Sequence, residues 1–166
     1  MSDENLRDRH EMVRVWGADI GALDDIARLM SLFRESMGRC SPSEDAFASR
    51  ISELLEREEA EFLLASLDGG EPCAVAQLRY RSSVWVDGLD CCLEDLYVEE
   101  EVRGFGIGRE LVRSALERAH EKGARRIQLD VNETNERARS LYEGMGFSAF
   151  SEAAGGNDLF SQRGLP

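Results

Sequence analysis

"LEDLYVEEEVRGFGIGRELVRSALERA", residues 93–119, decides how the rest of the chain reads. It continues a strand, LDCCLEDLYV, that runs from Leu89 to Val98. It ends as a helix, because Ile107, Leu111, Val112, Ala115, Leu116 and Ala119 fall on one face. Between them lies RGFGIG, Arg103 to Gly108, with glycine at every second position. Backbone this bare can bring its N–H groups against a ligand. Strand, glycine-rich turn and helix together make an anion site, because the turn's N–H groups converge and the helix N-terminus adds partial positive charge. Arg103 and Arg109 can add charge to a phosphate, just after the acidic run Glu99-Glu100-Glu101. The hexamer lacks the lysine of a P-loop. It also fails the dinucleotide fingerprint GxGxxG, since Arg109 stands at the third glycine position.

Upstream, MVRVW (Met12 to Trp16) reads as a first strand. Leu23, Ile26, Ala27, Met30, Phe33 and Met37 recur at helical spacing. Ser41-Pro42-Ser43-Glu44 signals the next helix, with Ser41 as cap, Pro42 in the first helical position and Glu44 reaching back. Phe47, Ile51, Leu54 and Leu55 give that helix its apolar face. EFLLASL and CAVAQLRY flank the turn Asp68-Gly69-Gly70, and SSVWV and LDCCLEDLYV flank Asp87-Gly88, a second hairpin signal. Downstream, Gly123 suits a helix end, and Ile127, Leu129 and Val131 alternate as a half-buried strand. A helix is expected from about Thr134 to Met145, ended by Gly146. Strands follow at Phe147–Phe150 and Asp158–Gln162, with Ala153–Asn157 as their loop. The order is strand, two helices, a run of strands, then turn, helix, strand, helix and two strands. That is an α+β fold with a mixed, mainly antiparallel sheet.

The 166 residues suit one domain, 12–166, behind a polar tail, 1–11, that lacks the apolar segment of a signal peptide. No apolar run approaches the roughly 20 residues of a membrane helix, so a cytoplasmic protein without membrane contact is expected. A net charge of −13 repels nucleic acid and attracts cations. Cys40, Cys73, Cys91 and Cys92 form no zinc-type spacing and read as free buried thiols, and no metal is expected.

A second stretch, NERARSLYEGMGF from Asn135 to Phe147, puts Asn135, Ala138 and Tyr142 on one helix face. With it, the chain resembles the GNAT superfamily of acetyl-CoA-dependent N-acetyltransferases. The family's loop, Gln/Arg-x-x-Gly-x-Gly/Ala, is matched by Arg103, Gly106 and Gly108. Its later motif is matched by Asn135, Ala138, Leu141, Tyr142, Gly146 and Phe147. The resemblance spans roughly Met12 to Gln162. It implies that acetyl-CoA is the co-substrate, with its pantetheine arm paired to the backbone of Leu96, Tyr97 and Val98 in a gap that a bulge opens. It implies a pyrophosphate held by Arg103, Gly104, Phe105, Gly106, Ile107, Gly108 and Arg109, with Asn135 supporting the cofactor. Where the family often has a proline shortly after the Val98 position, Glu100 stands here.

The resemblance also implies Tyr142 as general acid for the leaving thiolate and a backbone N–H near Val98 as oxyanion donor. Glu94 and Asp95 are the candidate bases, Glu94 first, because the LED stretch before RGFGIG is similar to that of polyamine (diamine) acetyltransferases. The acceptor implied is a small cationic amine such as a polyamine or aminoglycoside. A peptide-modifying enzyme and a non-catalytic acyl-CoA sensor are the alternatives, and a homodimer is common in the family. The acceptor pocket would draw on Gly38–Ser43 and on the hairpin holding Trp85. Trp16 and Trp85 otherwise read as packing or interface residues, and His10 and His120 as remote from the chemistry.

Overall fold

The computed structural model describes residues 13–151 and 156–165, so the tail 1–11, His10, Met12 and most of the expected 153–157 loop lie outside the described residues. Seven strands and four α-helices are present among them. The strands are β1 (Val13–Ala18), β2 (Glu61–Leu67), β3 (Ala74–Ser82), β4 (Leu89–Val98), β5 (Ala124–Leu129), β6 (Ser148–Ser151) and β7 (Gly156–Gly164). The helices are α1 (Leu23–Ser36), α2 (Glu44–Glu56), α3 (Ile107–Glu121) and α4 (Glu136–Glu143). This is the α+β order read from the sequence. By contacts the chain forms two units, one of residues up to Gln77 plus Asp95–Ser114, the other of Leu78–Glu94 plus residues from Ala115 onward.

In the first unit the strand order is β1-β2-β3-β4. β1 pairs antiparallel with β2 from Val13↔Leu67 to Ala18↔Phe62. β2 is buried along nearly its whole length, which is why EFLLASL reads as a continuous run rather than an alternation. Ile26, Leu29 and Met30 of α1 pack with Ile51 of α2 over Phe62, Leu64, Val75 and Tyr97. Each large side chain buried there contributes about 1.5–3 kcal/mol. Trp16 packs against this cluster. α1 carries Asp24 and Asp25 in its first turn and Arg34 in its last, both favourable to the helix dipole. The cap of α2 is Ser43, not Ser41: its Oγ accepts from Ala46 N at 3.2 Å. Starting there places Glu44 and Asp45 in the first turn, beside the exposed N–H groups. Cys40, in the linker, is exposed, unlike buried Cys73 and Cys91, because its segment turns out past the end of α1.

In the second unit the order is β3-β4-β5-β7-β6. β4 and β5 are parallel, from Leu89↔Ala124 to Leu93↔Leu129, with a register shift between Leu89 and Asp90. The expected strand SSVWV does not form. β3 ends at Ser82, and Val84 and Trp85 are 94% and 85% exposed, so no covered face holds them extended. β5 stops at Leu129, before Val131. α4 is shorter than expected, because Asn135 caps it and Gly146, at φ +86°, closes it. Phe147 N donates to Tyr142 O and Gly146 N to Glu143 O, each at 3.0 Å. The Phe147 ring meets Tyr142 edge-on at 5.7 Å, which completes a Schellman closure.

Asp90 is 3% exposed, and Arg126 grips it with Nε to Oδ1 at 2.8 Å and Nη2 to Oδ2 at 2.9 Å. These hydrogen bonds from Arg126 hold the Asp90 carboxyl below its ordinary range. A depressed folded-state pKa gives stability that is present above about pH 4 and lost as pH falls through the folded value. Asp90→Asn is therefore expected to destabilise by about 1.5–3 kcal/mol at neutral pH and to flatten the acid limb. Urea melts across pH check both, and an acid limb identical to wild type would remove this pair from the account.

Candidate active site

The first unit holds the glycine turn. β4 alternates there: Tyr97 is buried against Phe33 at 5.6 Å, while Glu94, Leu96 and Val98 fall on the opposite face. Tyr97 is thus a core side chain, and only its backbone is available to a ligand. The last β4–β5 pair is Leu93↔Leu129, and β4 runs on through Val98 without a further β5 partner among the described residues. Among the described residues the β4–β5 register shift lies between Leu89 and Asp90, and the recorded pairing with β5 ends at Leu93.

Beyond Val98, a short 3-10 turn, Glu100–Val102, leads into the glycines. Gly104 and Gly106 have φ of +93° and +88°. Nothing lies within 4 Å of where a Cβ would sit on either, so backbone conformation rather than crowding demands glycine there. α3 starts at once, with its first helical bond from Glu110 N to Gly106 O at 3.1 Å. The N–H groups of Ile107, Gly108 and Arg109 therefore have no intrahelical carbonyl. Ile107 is 1% exposed and pins the turn to the core, whereas Phe105 and Arg109 face outward. These features fit an anionic, extended ligand: an open strand edge, then unbonded N–H groups in uncrowded space at the start of a 15-residue helix.

The local charges are sorted among named partners. Arg103 does not reach into the turn. Its Nε donates to Val98 O at 3.0 Å, its Nη1 meets Glu100 at 3.3 Å, and its guanidinium lies 5.9 Å from the Tyr97 ring centre. It braces the turn, which leaves Arg109 as the outward charge. Glu110, in the first turn of α3, would oppose an anion, but Arg113 binds its Oε2 through Nη2 at 2.7 Å and Nε at 2.9 Å. Arg28 holds Glu99 at 2.7 Å. Sequence spacing carried no signal for Arg28, which reaches its partner across 71 positions; the Glu110–Arg113 pair was visible as i, i+3 spacing.

Asp95 lines a cleft of about 200 Å³ between α1, α2 and the linker that holds Met37, Arg39, Ser41 and Pro42. The segment Gly38–Ser43, expected to contribute to an acceptor pocket, borders this cleft. Trp85 stands exposed in its loop. His120 is exposed near the end of α3.

In the second unit, Asn135 Oδ1 accepts from Ala138 N at 3.1 Å, which is the physical reason for the Asn-x-x-Ala spacing. Glu94 is exposed. Tyr142 is 8% exposed, and burial pushes its phenol up to about 12. The phenol is protonated at neutral pH and can donate a hydrogen bond. A raised folded-state pKa gives stability that is full below about pH 10 and lost as pH rises toward 12. Tyr142→Phe is expected to abolish this alkaline loss, measured as melting temperature between pH 9 and pH 12. An unchanged alkaline limb would contradict the burial argument.

Comparison with known proteins agrees with this geometry. The acetyltransferase (GNAT) family model matches residues 26–147. A thialysine N-epsilon-acetyltransferase from Bos taurus is 40% identical over 98 residues, 58% of this chain and 57% of that one, so the chain spans little more than half of that relative. A provisionally named ribosomal protein bS18-alanine N-acetyltransferase from Bacillus subtilis (strain 168) is 32% identical over 125 residues, 75% of each chain. A crystal structure of an assigned acetyltransferase from Arthrobacter sp. FB24 superposes with a TM-score of 0.77 at 28% identity, covering 88% of this chain and 90% of that one. The chain belongs to the acetyltransferase (GNAT) family.

Proposed function

We propose that the enzyme moves an acetyl group from acetyl-CoA to the primary amine of a small acceptor, by direct attack with both substrates bound. The observation that carries this is the continuity of an open β4 edge with the glycine turn and the α3 N-terminus. The backbone of Leu96, Tyr97 and Val98, beyond the last recorded β4–β5 pair, would pair with an extended pantetheine arm as an added strand would. The N–H groups of Gly106, Ile107, Gly108 and Arg109 suit a pyrophosphate, with Arg109 adding charge and Arg103 keeping the turn in place. Gly104 and Phe105 complete its outer wall, and Asn135 lends support from α4.

An alkylamine is less than about 0.1% neutral at pH 7, so attack requires a proton acceptor. Glu94 is proposed as that base, acting through water; Asp95, the second candidate, faces the other side of β4 and would draw the cationic acceptor by its charge. A backbone N–H near Val98 would stabilise the oxyanion. Tyr142 is proposed to serve the leaving thiolate. With the phenol at about 12 and a thiol near 8.5, complete proton transfer is uphill by about 5 kcal/mol. Tyr142 would act by hydrogen-bond donation, with the proton supplied from the amine.

The net charge of −13 and the relatives named for thialysine favour a small cationic acceptor, of polyamine or aminoglycoside type. A peptide N-terminus is the second reading, favoured by the Bacillus relative's match over 75% of both chains. The cytoplasm and a homodimer belong to the same proposal; the free thiols suit a reducing compartment.

Thiol release from acetyl-CoA against spermidine, aminoglycosides, amino acids and N-terminal peptides tests this. Amine-dependent release that falls about 10–100-fold in Tyr142→Phe is expected. Release with peptides alone would select the second reading, and acetyl-CoA binding without release to any amine would leave a sensor. Glu94→Gln is expected to lower kcat about 100-fold with little change in KM, and Asp95→Asn to raise the amine KM about tenfold. The reverse pattern would exchange their roles.

A further inference from the structure

Between Val98, the last residue of β4, and Arg103 the chain reads Glu99-Glu100-Glu101-Val102. No proline ring fixes its dihedrals, so hydrogen bonds must set the path into the glycine turn. Glu99 is where the chain leaves the sheet, and its N–H, C=O and carboxylate are each engaged. The N–H donates to Cys73 O at 3.0 Å, the C=O accepts from Val102 N at 3.2 Å, and Oε1 accepts from Arg28 Nη1 at 2.7 Å. Arg28 Nη2 donates to Pro72 O at 2.5 Å. One guanidinium on α1 therefore bridges the two chains joined by the Glu99–Cys73 bond, which closes a ring through α1, the residues before β3 and the end of β4. The anchor is firm, because Cys73 is 7% exposed and its own N–H donates to Ala65 O of β2 at 2.8 Å. Asp25 stands 4.0 Å from the same guanidinium, beyond hydrogen-bond distance, so the direct bond goes to Glu99.

Arg103 closes the same stretch from its far end, by donating to Val98 O, but it spans only five positions. That bond sets the curvature of the turn. The Arg28 bonds, reaching across 71 and 44 positions, set where the turn stands against the core. An extended ligand held at two places, the Leu96–Val98 backbone and the N–H groups at the start of α3, loses affinity when one place shifts against the other. Resting on the donor-site reading above, we propose that Arg28 is a positioning residue for acetyl-CoA, which acts through Glu99 to hold the glycine turn in line with the end of β4. Arg28 itself touches no ligand. Its side chain is 38% exposed and that of Glu99 24%, so the pair contributes little to global stability and its loss falls on binding.

Calorimetric titration of acetyl-CoA into the full chain tests this without knowledge of the acceptor. Arg28→Met, which keeps the aliphatic stem, and Glu99→Ala are each expected to raise Kd about tenfold. The double variant is expected to be no weaker than Arg28→Met alone, because both changes break one clamp. Arg28→Lys, which can reach only one of the two oxygens, should fall between wild type and Arg28→Met. Titration separates Kd from stoichiometry: unfolded protein lowers the stoichiometry and leaves the Kd of the folded fraction unchanged, so a merely structural role would not give this pattern. An unchanged Kd in Arg28→Met, or losses that multiply in the double variant, overturns the proposal and leaves the donor-site reading intact. Wild type that binds no acetyl-CoA overturns both.

Discussion

Five residues of β4 run on after its last recorded pair with β5, and the proposed donor site depends on that mismatch of strand lengths. Up to Leu93 the parallel ladder is complete, and the Asp90–Arg126 pair bolts its register from the side-chain face. From Leu96 to Val98 no pair with β5 is recorded among the described residues. An open edge of this kind is ordinarily a liability for a protein. Here it leads within a few residues to the start of α3, where the N–H groups of Ile107, Gly108 and Arg109 have no intrahelical carbonyl. An extended ligand with an anionic end would answer both needs at once.

Charge is used locally rather than globally. The chain is strongly acidic, yet three acids near the turn are held by named cations, Glu99 by Arg28, Glu100 by Arg103 and Glu110 by Arg113, while Glu101 is exposed. What remains at the helix start is the backbone's own partial charge and Arg109. On the other face of β4, strand alternation separates Glu94 from Asp95 by a single residue yet gives them different surroundings, one exposed and one lining the α1–α2 cleft. Adjacent carboxylates on opposite faces can carry different tasks without competing for the same proton.

Elements governed by local rules were legible in the sequence. The α3 stripe and the Gly146 closure follow from spacing alone, because helix ends answer to neighbours a few residues away; that Asn135 caps α4 came from the structure. The proposed donor site was readable for the same local reason, since its essentials are backbone groups and glycines. Ser41 was expected to cap α2, but Ser43, two residues on, does so, because only the backbone path decides which hydroxyl reaches the first turn. SSVWV carried β-propensity but no partner to cover it. The direction of Arg103 and the grip of Arg28 on Glu99 depend on side chains meeting across space. No spacing rule reports such meetings, and so the acceptor side was less readable than the donor side.

The most direct measurement is amide hydrogen exchange with and without acetyl-CoA. Slowed exchange confined to two segments, the 94–98 stretch of β4 and the amides of Gly106 to Arg109, is the predicted result. Binding that leaves both segments unprotected, or that protects the α1–α2 linker instead, would contradict the assignment of the open edge and glycine turn as the donor site.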